Sequence, residues 1–273
     1  MLKDITLGQY YPVDSPLHRL DPRTKLFGTL VYIVALFLCK NWAGYALAAV
    51  FLAVVVKLSR VPFSYMVRGL KGILVLLLIS VSFNLFLTNG EVLFQLGFLK
   101  VTKEGLKVAG FMALRLIFLV IGSTVMTLTT TPNALTDGME KGLGFLKHFR
   151  VPVHEIAMMM SIALRFIPIL IEEADKIMKA QMARGADFEN GNIMQKAKAM
   201  VPLLVPLFVS AFRRATDLAM AMEARCYHGG DGRTKMKPLK YGAGDRMAYL
   251  VLFLYFAAVV ALRVVPLPLP GLA

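Results

Sequence analysis

The chain has 273 residues, 57% of them apolar, with a mean hydropathy of +0.64 and a formal net charge of +14. So apolar a composition excludes an ordinary soluble domain, and because the cations lie between apolar runs their charge does not mark a nucleic-acid binder. Lipid offers backbone groups no hydrogen-bond partner and a bilayer core of about 30 Å needs roughly 20 apolar residues per helix, so the fold class is all-α integral membrane protein.

The first 25 residues carry Lys3, Asp4, Asp14, Arg19, Asp21, Arg23 and Lys25 with no apolar core among them. They are unlike a cleavable signal peptide, and a retained, cytoplasmic N-terminus is expected. Apolar runs at 26–39, 43–58, 72–88 and 105–129 predict four spans, and 247–262 a fifth. The link from Lys57 to Lys71 holds four cations and no acid, which assigns it to the cytoplasmic side. The first link is only KNWA with interfacial Trp42, and the third, from Thr88 to Gly105, balances its charges; both suit the outer face. Within the third link, EVLFQLGFLKV is strand-like, as for a short hairpin or an interfacial segment. Inside the spans, Asn84 and Arg115 are the polar residues to watch, since buried polarity in lipid faces protein or water. Arg115 fits either helix packing and snorkelling or a functional contact. Cys39 and Cys226 are too far apart in sequence to imply a disulfide or a metal site.

The expected organisation is a membrane portion over 1–130, a cytoplasmic domain of long amphipathic helices over 131–245, and a last transmembrane helix over 246–273. The middle domain holds two apolar runs, 156–171 and 199–212, each short for a span and interrupted by Arg165 or by Pro202 and Pro206. Both continue as charged amphipathic helices that end alike. A shift of 41 residues superposes Ala174 on Ala215, Ala180 on Ala221, Ala183 on Ala224 and Arg184 on Arg225. Ala174, Ala180, Ala215 and Ala221 form small-residue faces on which two helices could cross closely. Arg184 and Arg225 fall in the last turns, where a cation suits the helix dipole, and Gly185 can take a left-handed cap. An arginine fork at such a tip also matches a carboxylate of a soluble partner bidentately.

Together with SPLHRLDPRTKL (15–26), LTTTPNALTDGME (128–140) and ALRFIPILIEEADKIMKAQMARG (163–185), these endings resemble the transmembrane T-component of energy-coupling factor transporters. The resemblance covers most of the chain. It implies a scaffold in a bacterial or archaeal cell membrane that contacts two ABC-type ATPase subunits through Ala183, Arg184 and Gly185 and through Ala224 and Arg225. It implies also a membrane-embedded substrate-binding S-component for vitamins or other micronutrients, several of which could be interchangeable. ATP and Mg would then belong to the partner subunits, with no cofactor in this chain. Position 226 is Cys226 where the family pattern has glycine, so either cysteine takes the left-handed cap or the cap moves to Gly229 and Gly230.

Other classes fit less well. No phosphate-binding G-x-x-x-x-G-K-[ST] occurs, and HEIAM (154–158) has Met158 where a zinc-protease helix needs its second histidine, so no enzyme is expected. A self-sufficient secondary transporter or channel is the alternative, but it calls for inverted repeats of spans and midplane ionisable groups. Nine of the sixteen methionines lie between Met158 and Met222. They make a loosely specified helix core or an adaptable platform for more than one partner.

Overall fold

The computed structural model describes residues 9–88, 90–96, 99–186, 192–230, 236 and 238–264. Both chain ends, on which the expected sidedness of the N-terminus depends, and residues 231–235 of GGDGRTK lie outside the described residues. In chain order the elements are α1 (Pro22–Leu38), α2 (Trp42–Ser59), α3 (Phe63–Leu87), β1 (Val92–Leu96), β2 (Leu99–Thr102), α4 (Lys103–Thr129), α5 (Pro132–Gly142), α6 (Val153–Ala183), α7 (Ile193–Glu223) and α8 (Ala243–Val264). A 3₁₀ turn over Gly144–Phe149 precedes α6.

Among the described residues the secondary structure is helical apart from the β1–β2 hairpin, which pairs antiparallel from Val92↔Thr102 to Leu96↔Leu99 in the strand-like part of the third link. Among the described residues five helices are long and apolar enough to cross a membrane: α2, α3, α4, α6 and α8. The number agrees with expectation, but the membership does not. α1, with 17 residues, is at the short end of what a bilayer needs. α6 runs unbroken for 31 residues, because neither Arg165 nor Pro168 stops it, and its apolar stretch is longer than the run 156–171. α3 begins at Phe63 rather than near 72, so the cationic link shrinks to the corner Arg60–Pro62. Pro62 ends the extended stretch, and Arg68 rests over the Tyr65 ring at 5.3 Å, which accommodates charge within the first turns.

Two compact units divide the chain, one around Met139–Pro238 and the other from Gly8–Gly138 with Leu239–Ala273. In the second unit, aromatic rings from α1, α2 and α8 stack: Tyr32 on Phe51 at 5.9 Å and Phe51 on Tyr255 at 4.2 Å. Ala35, Leu36, Ala48, Met66, Val125 and Val259 close the core around them.

One end of this unit is tied by polar groups. Asp21 caps α1 by accepting from the Arg23 N–H at 2.9 Å, with Pro22 at the first helical position. Asp21's own N–H donates to Asp245 Oδ1 at 2.9 Å, and the Gly242 N–H donates to Asp245 Oδ2 at 2.8 Å. Lys25 Nζ donates to the carbonyls of Thr129 at 2.8 Å and His18 at 3.2 Å. The segments 15–26 and 128–140 therefore do structural work here, joining the starts of α1 and α8 to the end of α4.

Candidate functional site

The two helix endings share one backbone device. At the end of α6, Gly185 N–H donates to Met182 O at 2.9 Å and Ala186 N–H reaches back to Gln181 O at 3.0 Å. At the end of α7, Cys226 N–H donates to Glu223 O at 2.8 Å and Tyr227 N–H to Met222 O at 3.1 Å. Each pair is a Schellman cap, with the arginine as the last helical flank and the next residue left-handed. Gly185 has φ +89° and Cys226 φ +55°, so the cysteine itself takes the cap conformation and the cap does not move on to Gly229. A left-handed cysteine costs about 1 kcal/mol more than glycine there.

Ala183, Arg184, Gly185, Ala224 and Arg225 are all exposed. Among the described residues neither guanidinium has an ion-pair partner. The caps fix the backbone that carries each arginine, which leaves two preset forks free to meet an anion.

α6 and α7 pack as an antiparallel pair, since Glu173 Oε2 accepts from Arg214 at 3.0 Å and Gln181 Nε2 donates to Pro202 O at 3.3 Å. The second contact follows from sequence. Pro206 has no N–H, so the carbonyl four residues earlier, at Pro202, has no donor within its own helix and takes one from α6 instead. The arginine endings consequently lie at opposite ends of the pair.

Between the helices runs a groove of about 300 Å³, lined on the α6 side by Ile162, Phe166 and Leu170. On α7 its wall includes Ala211, Ala215 and Ala219, spaced i, i+4, i+8. Ala215 thus sits where a small residue matters, and Ala174, next to Glu173, is half-buried. Ala180 and Ala221 are exposed. Ala211 and Ala219 were legible in SAFRRATDLAM by helical spacing, but a comparison of the two endings alone passes over them.

The intramembrane polar residues have local roles. Arg115 Nε donates to Tyr45 Oη at 3.1 Å and its Nη2 to Cys39 O at 3.4 Å, with the guanidinium 5.4 Å from the Phe37 ring centre. It ties α4 to α2 and to the end of α1. Asn84 Nδ2 donates to Ser80 O of its own helix at 2.8 Å. Asp245 and Lys25, which hold the polar knot, have no sequence signal, because the Asp21 N–H and the Thr129 carbonyl they bind are distant in the chain.

The cobalt transport protein family, CbiQ, matches residues 14–236. A protein of Clostridium kluyveri named energy-coupling factor transporter transmembrane protein EcfT is 57% identical over 252 residues, 92% of this chain and 93% of its own length. Proteins of the same name from Thermosediminibacter oceani and Bacillus subtilis are 53% identical over 249 residues and 49% over 264. These alignments cover 91% and 96% of this chain, and 94% and 100% of the relatives.

Proposed function

The chain belongs to the family of energy-coupling factor transporter transmembrane proteins, and on that premise we propose that it is the subunit that carries ATPase motion to a substrate-binding partner. Two ABC-type ATPase subunits dock at the endings Ala183–Arg184–Gly185 and Ala224–Arg225, each presenting a carboxylate to one guanidinium. The N-terminus and both arginine endings then lie on the cytoplasmic side of a multi-pass protein, with α6, for all its apolar length, lying along that side rather than across the membrane. ATP and Mg are bound and used by those subunits. As the ATPases close on ATP and separate after hydrolysis, the two ends of the α6–α7 pair are displaced relative to each other. The joint of Glu173–Arg214, Gln181–Pro202 and the alanine-walled groove converts that displacement into a change of crossing angle. An S-component that rests on the apolar flanks of these helices is rocked between its outward and inward states, delivering a vitamin or another micronutrient.

The observation that carries this proposal is the repeated cap, with the same hydrogen bonds 41 residues apart and an exposed arginine at the same place in each. Its test is the intact mass, in detergent, of the tagged chain co-expressed with an ATPase pair. Wild type retains both ATPases, and Arg184→Glu with Arg225→Glu loses them. Equal retention by the two proteins would make the endings plain helix stops.

A further inference from the structure

Five residues beyond Arg225 the chain passes against the first turn of α6. A Cβ built on Gly230 would lie 2.3 Å from His154 Cδ2 and 2.8 Å from Cγ, so no other residue fits there without displacing the ring. The ring is held from its other side. Nδ1 of His154 lies 2.9 Å from Glu140 Oε1 of α5, and the two side chains are only 19% and 13% exposed. A carboxylate and a stretch of backbone therefore grip one imidazole between them.

This grip joins parts that the coupling proposal treats separately. Five extended residues reach at most about 18 Å, so the Arg225 ending is leashed closely to the start of α6. Arg184 stands at the far end of the same helix, about 45 Å along its axis at 1.5 Å per residue. We infer that Glu140, His154 and Gly230 are positioning residues that fasten the Arg225 ending to the first turn of α6. This makes α6 a strut with one arginine ending at each end. The inference rests on the coupling role proposed above. A displacement applied at one ending is then felt at the other through a single helix rather than through the α6–α7 joint alone.

The test uses the full chain purified with its ATPase pair, with spin labels on Met182→Cys and on exposed Cys226 and with buried Cys39 replaced by alanine. Wild type gives one narrow distance distribution. Gly230→Ala, which forces the ring and the segment apart, broadens it at least twofold. It also lowers at least twofold the salt concentration that strips the ATPases. His154→Ala leaves a gap rather than a clash and gives the same broadening, which guards against a misfolded Gly230→Ala. The double variant is no worse than either single one, because both break one contact. Glu140→Gln behaves as wild type, since its amide oxygen accepts the same Nδ1–H, whereas Glu140→Ala broadens the distribution.

Unchanged width and salt resistance in Gly230→Ala and His154→Ala would overturn the leash. An Arg225→Glu control, run beside them, separates the two ideas. If it keeps the ATPases as wild type does while Gly230→Ala broadens the distance, the leash stands and the coupling role fails. If it loses them while Gly230→Ala changes nothing, the reverse holds.

Discussion

The unit of α1–α4 and α8 and the unit of α6 and α7 put their apolar residues to different ends. The first encloses Tyr32, Leu36, Tyr45, Met66, Val125 and Tyr255 among others in one core. In the second, Val153, Ala157 and Leu203 are the only buried apolar residues among those described, while Met159, Phe208, Val209, Phe212 and Met220 are exposed. One unit builds a buried core within the chain, although α3 and the outer faces of its other helices still expose apolar side chains. The other is joined by an ion pair, a side-chain hydrogen bond and a groove, and among the described residues it encloses no comparable cluster. What this teaches is where movement is cheap: a change of angle between α6 and α7 disturbs two side-chain hydrogen bonds and no buried ring stack, whereas the stack of the first unit would lose close packing at once.

Paired truncations break the comparison most sharply. Leu36→Ala, at a position with no exposed surface, should lower the unfolding free energy by about 2–5 kcal/mol. Phe208→Ala, at a position 60% exposed, should stay within about 0.5 kcal/mol of wild type in the isolated chain. Chemical denaturation in detergent measures both. Equal losses would mean that the α7 face is already buried against its own unit. Next in size is Asp245→Ala, which strips an acceptor from the N–H groups of Asp21 and Gly242 and should cost about 1–3 kcal/mol. No matching loss should follow Arg184→Ala or Arg225→Ala, whose side chains hold nothing within the described chain. The two endings themselves differ by one residue. Cys226→Gly should therefore stabilise by at most about 1 kcal/mol and Gly185→Cys destabilise by a similar amount, read from the same denaturation curves.

Much of this was legible in the sequence, and the misses share a cause. The spans showed because lipid demands long apolar runs, and the endings because a cap repeats its residue types. The strand-like hairpin showed for the same kind of local reason. The length of α6 did not show, because counting outward from Arg165 treats one charge as a boundary that a helix can carry through. The early start of α3 was hidden in the same way by Arg68 and Lys71. The Asp21–Asp245, Lys25–Thr129 and His154–Gly230 contacts could not be read at all, since each is a meeting of residues far apart in the chain. Ala180 and Ala221 were assigned to a crossing by analogy between two helices, and antiparallel packing takes each to an opposite end, where it is exposed.

The smallest expected effect sharpens the comparison by pH. His18, in the unit of α1–α4 and α8, offers Nδ1 to the Ser15 hydroxyl at 2.7 Å and lies 3.1 Å from Tyr11 O through Nε2. A carbonyl only accepts, so Nε2 carries the proton and Nδ1 is the acceptor. That arrangement satisfies the neutral ring, and protonating Nδ1 would turn it against the hydroxyl it now receives. Burial, helped by the charge of Lys25, holds the His18 pKa below its usual 6.5 despite the carbonyl of Tyr11 and the charge of Asp14. The unfolded chain then binds the proton first as pH falls. His18's contribution is fully present above about pH 6.5 and is lost as pH drops through the lower folded value. Melting curves between pH 7.5 and 5 should show a drop in wild type that is shallower in His18→Gln, whose side chain does not titrate. Parallel curves for the two proteins would show that the histidine adds no pH dependence to this unit.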